Sequence, residues 1–202
     1  MARRAADLWQ PRADKGEFEA AWKLARACYW LGTHAPQADR KAQLERGIAA
    51  GQRAIKAEPD KPQGHFWTAA DMGTLAQSFG LSQGIKYGGT IKRELETSIR
   101  LAPGWQNGSA ESALGRFYEA APWIAGGSDS KAETWYRKAI AIGPENRNAL
   151  WSLAHLLLDH KRAEEAKPLL RRVIDAPDAP EWIPEDRELV AQATVALRKL
   201  GG

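Results

Sequence analysis

The sequence predicts an all-α fold, a series of helix pairs closed by a C-terminal capping helix. Three observations carry that prediction. Strand signals are nearly absent, while apolar residues recur at helical spacing among Ala, Leu, Glu, Lys and Arg. Four segments end alike on a proline: Ala54-Ile55-Lys56-Ala57-Glu58-Pro59, Ser98-Ile99-Arg100-Leu101-Ala102-Pro103, Ala139-Ile140-Ala141-Ile142-Gly143-Pro144 and Val173-Ile174-Asp175-Ala176-Pro177. Ahead of each lies a large apolar residue followed by a small one: Leu24-Ala25, Met72-Gly73, Leu114-Gly115 and Leu153-Ala154.

Each closing helix stops before its proline, because the residue preceding proline is disfavoured in the α region. Each large-small step lets a partner helix cross closely. The expected units are about 18–59, 63–103, 108–144 and 147–178, forming a single helical repeat domain over 1–202. Gly47, Ala132 and Ala166 are the small residues of the first, third and fourth closing helices. The stretches Thr33 to Arg40, Leu81 to Gly89 and Pro122 to Ser130 are expected as long insertions between the two helices of a pair. After Pro177, Glu181-Trp182-Ile183-Pro184-Glu185-Asp186 reads as a helix start, with proline in the first turn and acidic residues behind it. The cap over 184–200 then covers the last apolar face of an open stack.

This organisation resembles the tetratricopeptide repeat, a helix pair of about 34 residues, over residues 18 to 178. Two narrower resemblances follow. Gln83-Gly84-Ile85-Lys86, Ile91-Lys92-Arg93-Glu94-Leu95-Glu96, Glu181 to Arg187 and Leu114-Gly115-Arg116-x-Tyr118 resemble the regulator of microtubule dynamics family. The stretch Leu114 to Tyr118 with Pro122, Gly126-Gly127-Ser128, Lys131 and Ala132 is similar to the T-component proteins associated with TRAP transporters. Both resemblances imply a helical repeat protein without an enzymatic activity; the second implies a periplasmic form.

Composition excludes several classes. The formal net charge is +4, too mild to call for nucleic acid. A single cysteine, Cys28, rules out an internal disulfide and multi-cysteine metal sites. No run approaches the roughly 18 apolar residues of a membrane span. The start, Met-Ala-Arg-Arg-Ala-Ala-Asp-Leu-Trp-Gln-Pro, lacks the apolar stretch of a secretory signal. The location read from it is cytoplasmic, with a periplasmic one if residue 1 is not the natural start.

No catalytic constellation emerges. His34, His65, His155 and His160 are scattered, and His-Glu-x-x-His does not occur. The glycines at 80–89 and 126–127 lack the strand and spacing of a phosphate-binding loop and read as turns. Ser128 or Asp129 reads as a helix cap, and Cys28 as a buried small residue. The chain is read as not an enzyme, with no cofactor and no metal.

The odd figure is aromatic: nine Trp against four Phe and four Tyr. In a helical repeat stack the first helix of each pair lines the concave side, and side chains three, four and seven apart share a face. Aligning the four large-small steps aims Glu19, Trp22, Arg26, Tyr29 and Trp30 at that face from the first unit. The second offers Trp67, Ala70, Thr74 and Gln77; the third Ser109, Ser112, Arg116 and Glu119; the fourth Asn148, Trp151, His155 and Leu158. The expected binding groove is Trp22, Arg26, Tyr29, Trp67, Arg116, Trp151 and His155. Trp and Arg anchor interfaces, and aromatic walls with guanidinium groups suit a protein or peptide partner. A small organic anion, as for a periplasmic accessory of transport, is the alternative. The rival to any binding role is that these tryptophans only pack against one another. Trp9, Trp105, Trp123, Trp135 and Trp182 fall at junctions, where packing is expected, and an oligomer is left open.

Overall fold

The computed structural model describes residues 2–178 and 183–201, the side chains of 81, 183 and 184 excepted. The described residues form ten α-helices: α1 Ala2–Asp14, α2 Phe18–His34, α3 Gln37–Ala57, α4 Pro62–Phe79, α5 Leu81–Leu101, α6 Trp105–Ala120, α7 Asp129–Ile142, α8 Arg147–Asp159, α9 Ala163–Asp175 and α10 Ile183–Lys199. A 3-10 turn spans Trp123–Ala125. The four expected pairs are thus α2–α3, α4–α5, α6–α7 and α8–α9, with α10 as the expected cap. The Glu181-Trp182 lead-in lies outside the described residues.

The chain divides into two compact units, Met1–Pro103 with Ala120–Gly127, and Gly104–Glu119 with Ser128–Gly202. In the first, α1 packs on α2, α2 on α3, α3 on α4 and α4 on α5. Glycines set the closest approaches. A Cβ at Gly32 would overlap Leu44, one at Gly47 would overlap the Asp71 carboxylate, and one at Gly51 would overlap Thr68. The expected step at Gly73 is different, because nothing lies within 4 Å of a Cβ there. The tight contact of α4 runs instead along Thr68 and Asp71, against α3.

Two of the three expected insertions are not loops. α2 takes 33–34, and α3 and α5, 21 residues each, absorb all of 37–40 and all of 81–89. Between α4 and α5 the only break is Gly80, whose φ of 93° is the left-handed conformation that glycine adopts without penalty. Gly84, Gly88 and Gly89 stay helical with open space around them. The segment has no proline to stop a helix, so it continues one.

The first helix, α1, was not expected from the sequence. It buries Ala6 and Ala13, and Arg46 of α3 holds it by donating from Nε to Gln10 Oε1 at 2.6 Å. A second tie joins α4 to α5. Buried His65 places Nδ1 2.6 Å from Glu94 Oε2 and Nε2 2.8 Å from the Pro59 carbonyl oxygen.

The second unit opens on a left-handed turn. Gln106, Asn107 and Gly108 have φ of 47°, 55° and 78°, costing roughly 1–2 kcal/mol for each non-glycine residue. Asn146 stabilises it, donating from Nδ2 to the Asn107 carbonyl oxygen at 2.8 Å. Asn146 also caps α8 by accepting from Ala149 N–H at 3.0 Å. Ser128, the expected cap, accepts from Lys131 N–H at the start of α7. Gly115 meets Tyr136, whose ring would stand 2.6 Å from a Cβ there.

Arg147 fastens α10. Its side chain is 4% exposed. It donates from Nε to the Val173 carbonyl at 3.0 Å, from Nη2 to the Ala176 carbonyl, and from Nη1 to Asp178 at 2.9 Å. Nη1 also lies 2.8 Å from Asp186 of α10, itself buried.

Candidate functional site

In the first unit, helical spacing carries Trp22, Arg26 and Tyr29 to one face of α2, and all three are half-buried. Trp67 of α4 is 1% exposed. It stands beneath them as core, with Tyr29 edge-on at 5.6 Å between ring centroids and Phe66 at 5.0 Å. The Arg26 guanidinium lies 5.9 Å from the Trp67 ring centroid. The structure therefore brings Arg26, Tyr29 and Trp67 together, with the tryptophan as the floor rather than the surface.

Trp9 of α1 joins this face, a residue the sequence placed at a packing junction. Lys23 Nζ lies 5.2 Å from the Trp9 ring and 5.3 Å from the Trp22 ring, and Arg12 lies 5.5 Å from Trp9. Cations and indoles thus alternate along α1 and α2. Each such contact is worth about 0.5–1 kcal/mol when exposed, but together they hold the rings in fixed positions. Sequence reasoning missed Trp9 because it did not anticipate α1.

Beneath lies Asp71, fully buried, with no hydrogen-bond partner for either carboxylate oxygen. Burial raises its pKa well above the ordinary carboxylate value. Cys28 is buried as expected. Burial, with the Asp71 carboxyl as the next contributor, pushes its thiol up to about 12. A thiol held protonated in this way is no nucleophile.

In the second unit, α6 presents exposed Arg116 and part-buried Glu119, and α8 presents half-buried Trp151 and exposed His155. The Trp151 and His155 rings lie 6.0 Å apart at 46°. Donor atoms of Glu119, His155 and Asp159 all lie within 4.8 Å of one another. Tyr136 of α7 donates its hydroxyl to Glu119 Oε2, and burial first, then that bond, raises the tyrosine's pKa. The helical register aims Glu119 and His155 at one face. Asp159 was missed, although His155 and Asp159 have the i, i+4 spacing that would have found it.

Elsewhere in this unit, a cavity of about 430 Å³ is lined by Asp129, Ser130, Glu133, Leu156, His160 and Arg162. Its charged groups engage one another: Arg162 reaches Glu133 at 2.7 Å, and His160 reaches Asp129 at 2.9 Å. The Arg162 hydrogen bond holds the Glu133 carboxyl below its usual range.

No helix among the described residues is long and apolar enough to cross a membrane. The fold is that of tetratricopeptide repeat proteins. A thermophilic TPR protein of Thermus thermophilus, TTC0263, matches 98% of this chain and 99% of its own, with a TM-score of 0.62 at 19% identity. MamA 41-end from Desulfovibrio magneticus RS-1 matches 85% of this chain and 94% of its own, with a TM-score of 0.54 at 14% identity. Among sequence relatives, human regulator of microtubule dynamics protein 2 is 32% identical over 92 residues, 44% of this chain and 22% of its own length. The mouse protein of that name is 34% identical over 90 residues, again 22% of its length. The match thus spans about a fifth of these relatives. The family described as regulator of microtubule dynamics protein 1-3 matches residues 4–123, more than half of the sequence, and the chain belongs to that family.

Proposed function

We propose that the chain is a non-enzymatic docking module for a protein or peptide partner rich in carboxylates. The observation that carries this reading is the alternation of cations and indole rings on α1 and α2: Arg12, Trp9, Lys23, Trp22, then Arg26 over Trp67. Guanidinium groups bind carboxylates with charge-assisted hydrogen bonds, and Trp and Arg dominate binding energy where they are held in place; a partner's carboxylates would exchange with the chain's own Glu17 on Arg12 and Glu19 on Lys23. Arg116 and Trp151 are the same residue types within the second unit. The fold supports an interaction scaffold, and the protonated, buried Cys28 supports a non-catalytic role.

The test is titration of fluorescent acidic peptides, with free carboxy termini, against the wild-type chain and Trp22→Ala/Arg26→Ala. Binding lost in the double variant with unchanged helical circular dichroism is the expected result. Equal binding by both proteins would remove the α2 face from the site.

A further inference from the structure

We propose that Glu119, His155 and Asp159 form a binding site for a divalent transition cation of the zinc class. Two helices supply the donors. His155 and Asp159 lie one turn apart on α8, and Glu119 reaches them from α6, with all three donor atoms within 4.8 Å. His155 Nδ1 stands 3.4 Å from Asp159 Oδ2. That is longer than a good N–H···O hydrogen bond of about 2.7–3.2 Å. It matches the edge of about 3.4 Å between two ligands of a tetrahedral zinc ion, given metal–ligand distances of about 2.0–2.2 Å.

A second, independent feature comes from α7. Buried Tyr136 donates its hydroxyl to Glu119 Oε2 and fixes the orientation of that carboxylate. Metal-ligating carboxylates are characteristically held this way by an outer partner. Two of the three donors are carboxylates, which bring negative charge to a cation. The imidazole sets the class of ion: nitrogen with carboxylate oxygen suits zinc and its neighbours, whereas magnesium and calcium take oxygen alone. Three protein ligands leave a coordination position open to solvent, since His155 and Asp159 are exposed.

The experiment titrates Zn²⁺ into the full chain, stripped with chelator, by calorimetry and by thermal melting. One Zn²⁺ per chain is expected, with a higher melting midpoint and no competition from millimolar Mg²⁺. His155→Ala and Asp159→Asn should each weaken binding at least tenfold. Both side chains are exposed, so both variants should fold. Tyr136→Phe should weaken it about 10–100-fold with all three ligands still present. His160→Ala, which disrupts the separate His160–Asp129 pair, should bind as wild type. Wild-type affinity in the His155→Ala/Asp159→Asn double variant, loss of binding in His160→Ala, or no stoichiometric uptake overturns the proposal.

Discussion

Gly47 and Asp71 meet across α3 and α4 so closely that a Cβ on the glycine would stand 2.6 Å from Asp71 Cγ. The glycine admits a fully buried carboxyl with no hydrogen-bond partner on either oxygen. Such a group resists ionisation, and folding stability then depends on its proton.

The folded state holds the Asp71 proton at pH values where the unfolded chain has released it. Stability is therefore full below the ordinary carboxylate range and falls as pH rises, from about pH 4 towards the raised value. The expected slope from this group is about 1.4 kcal/mol per pH unit within that window. Asp71→Asn, which cannot ionise, should flatten it. Urea melts at a series of pH values for both proteins measure the difference; parallel profiles would show that Asp71 does not titrate abnormally.

Glycines in this chain should respond oppositely to substitution. Gly115→Leu drives a side chain into Tyr136, 2.6 Å from the first added atom. Overpacking of this kind costs about 1–3 kcal/mol or more, lowering the melting midpoint by several degrees. Gly89→Ala, in exposed helix with nothing within 4 Å, should instead gain about 0.5–1 kcal/mol from helix propensity. Scanning calorimetry on the two variants distinguishes the directions. A stabilised Gly115→Leu would break the assigned contact.

Arg147→Met should be the most damaging single change in the second unit. It removes donors to two carbonyls and to Asp178 and Asp186 at once. Breaking a buried pair of this kind costs about 3–5 kcal/mol. Limited proteolysis should release α10 from the variant under conditions where the wild type is uncut.

Trp67→Ala and Trp22→Ala separate core from surface. Trp67 is fully enclosed, so its loss should cost about 3–5 kcal/mol. Trp22, half-buried, should cost much less stability while still weakening acidic-peptide capture. Denaturation and peptide titration on both variants give the comparison; an equally large loss of stability at Trp22 would make it a core residue.

What the sequence revealed was whatever its local chemistry enforces. Pro59, Pro103, Pro144 and Pro177 end helices by steric exclusion, so the ends of α3, α5, α7 and α9 could be read directly. The cap was legible from Glu185 and Asp186 behind Pro184. The helical extension over 81–89 was not, because Gly84, Gly88 and Gly89 look like loop residues. Only the absence of a stop signal beyond Gly80 makes them helix. Helical register put Trp67 on the face that Tyr29 and Arg26 approach, but register cannot say how deep a ring lies, and α2 packs over that side of α4. Tyr136 and Arg147 escaped attention because their contacts are with partners distant in sequence. A lone charged or phenolic residue carries no mark of such a partner.

Arg147 grips its surroundings through the main-chain oxygens of Val173 and Ala176, together with Asp178 and Asp186. Main-chain oxygens are present whatever the side chain. Drift in residue identity at 173 and 176 is therefore invisible to this clamp. A one-residue insertion or deletion between 173 and 178 is not, since it carries the carbonyls and the carboxylate out of step with a guanidinium that offers them fixed directions. Related chains should accordingly vary in the letters of this passage far more readily than in its length.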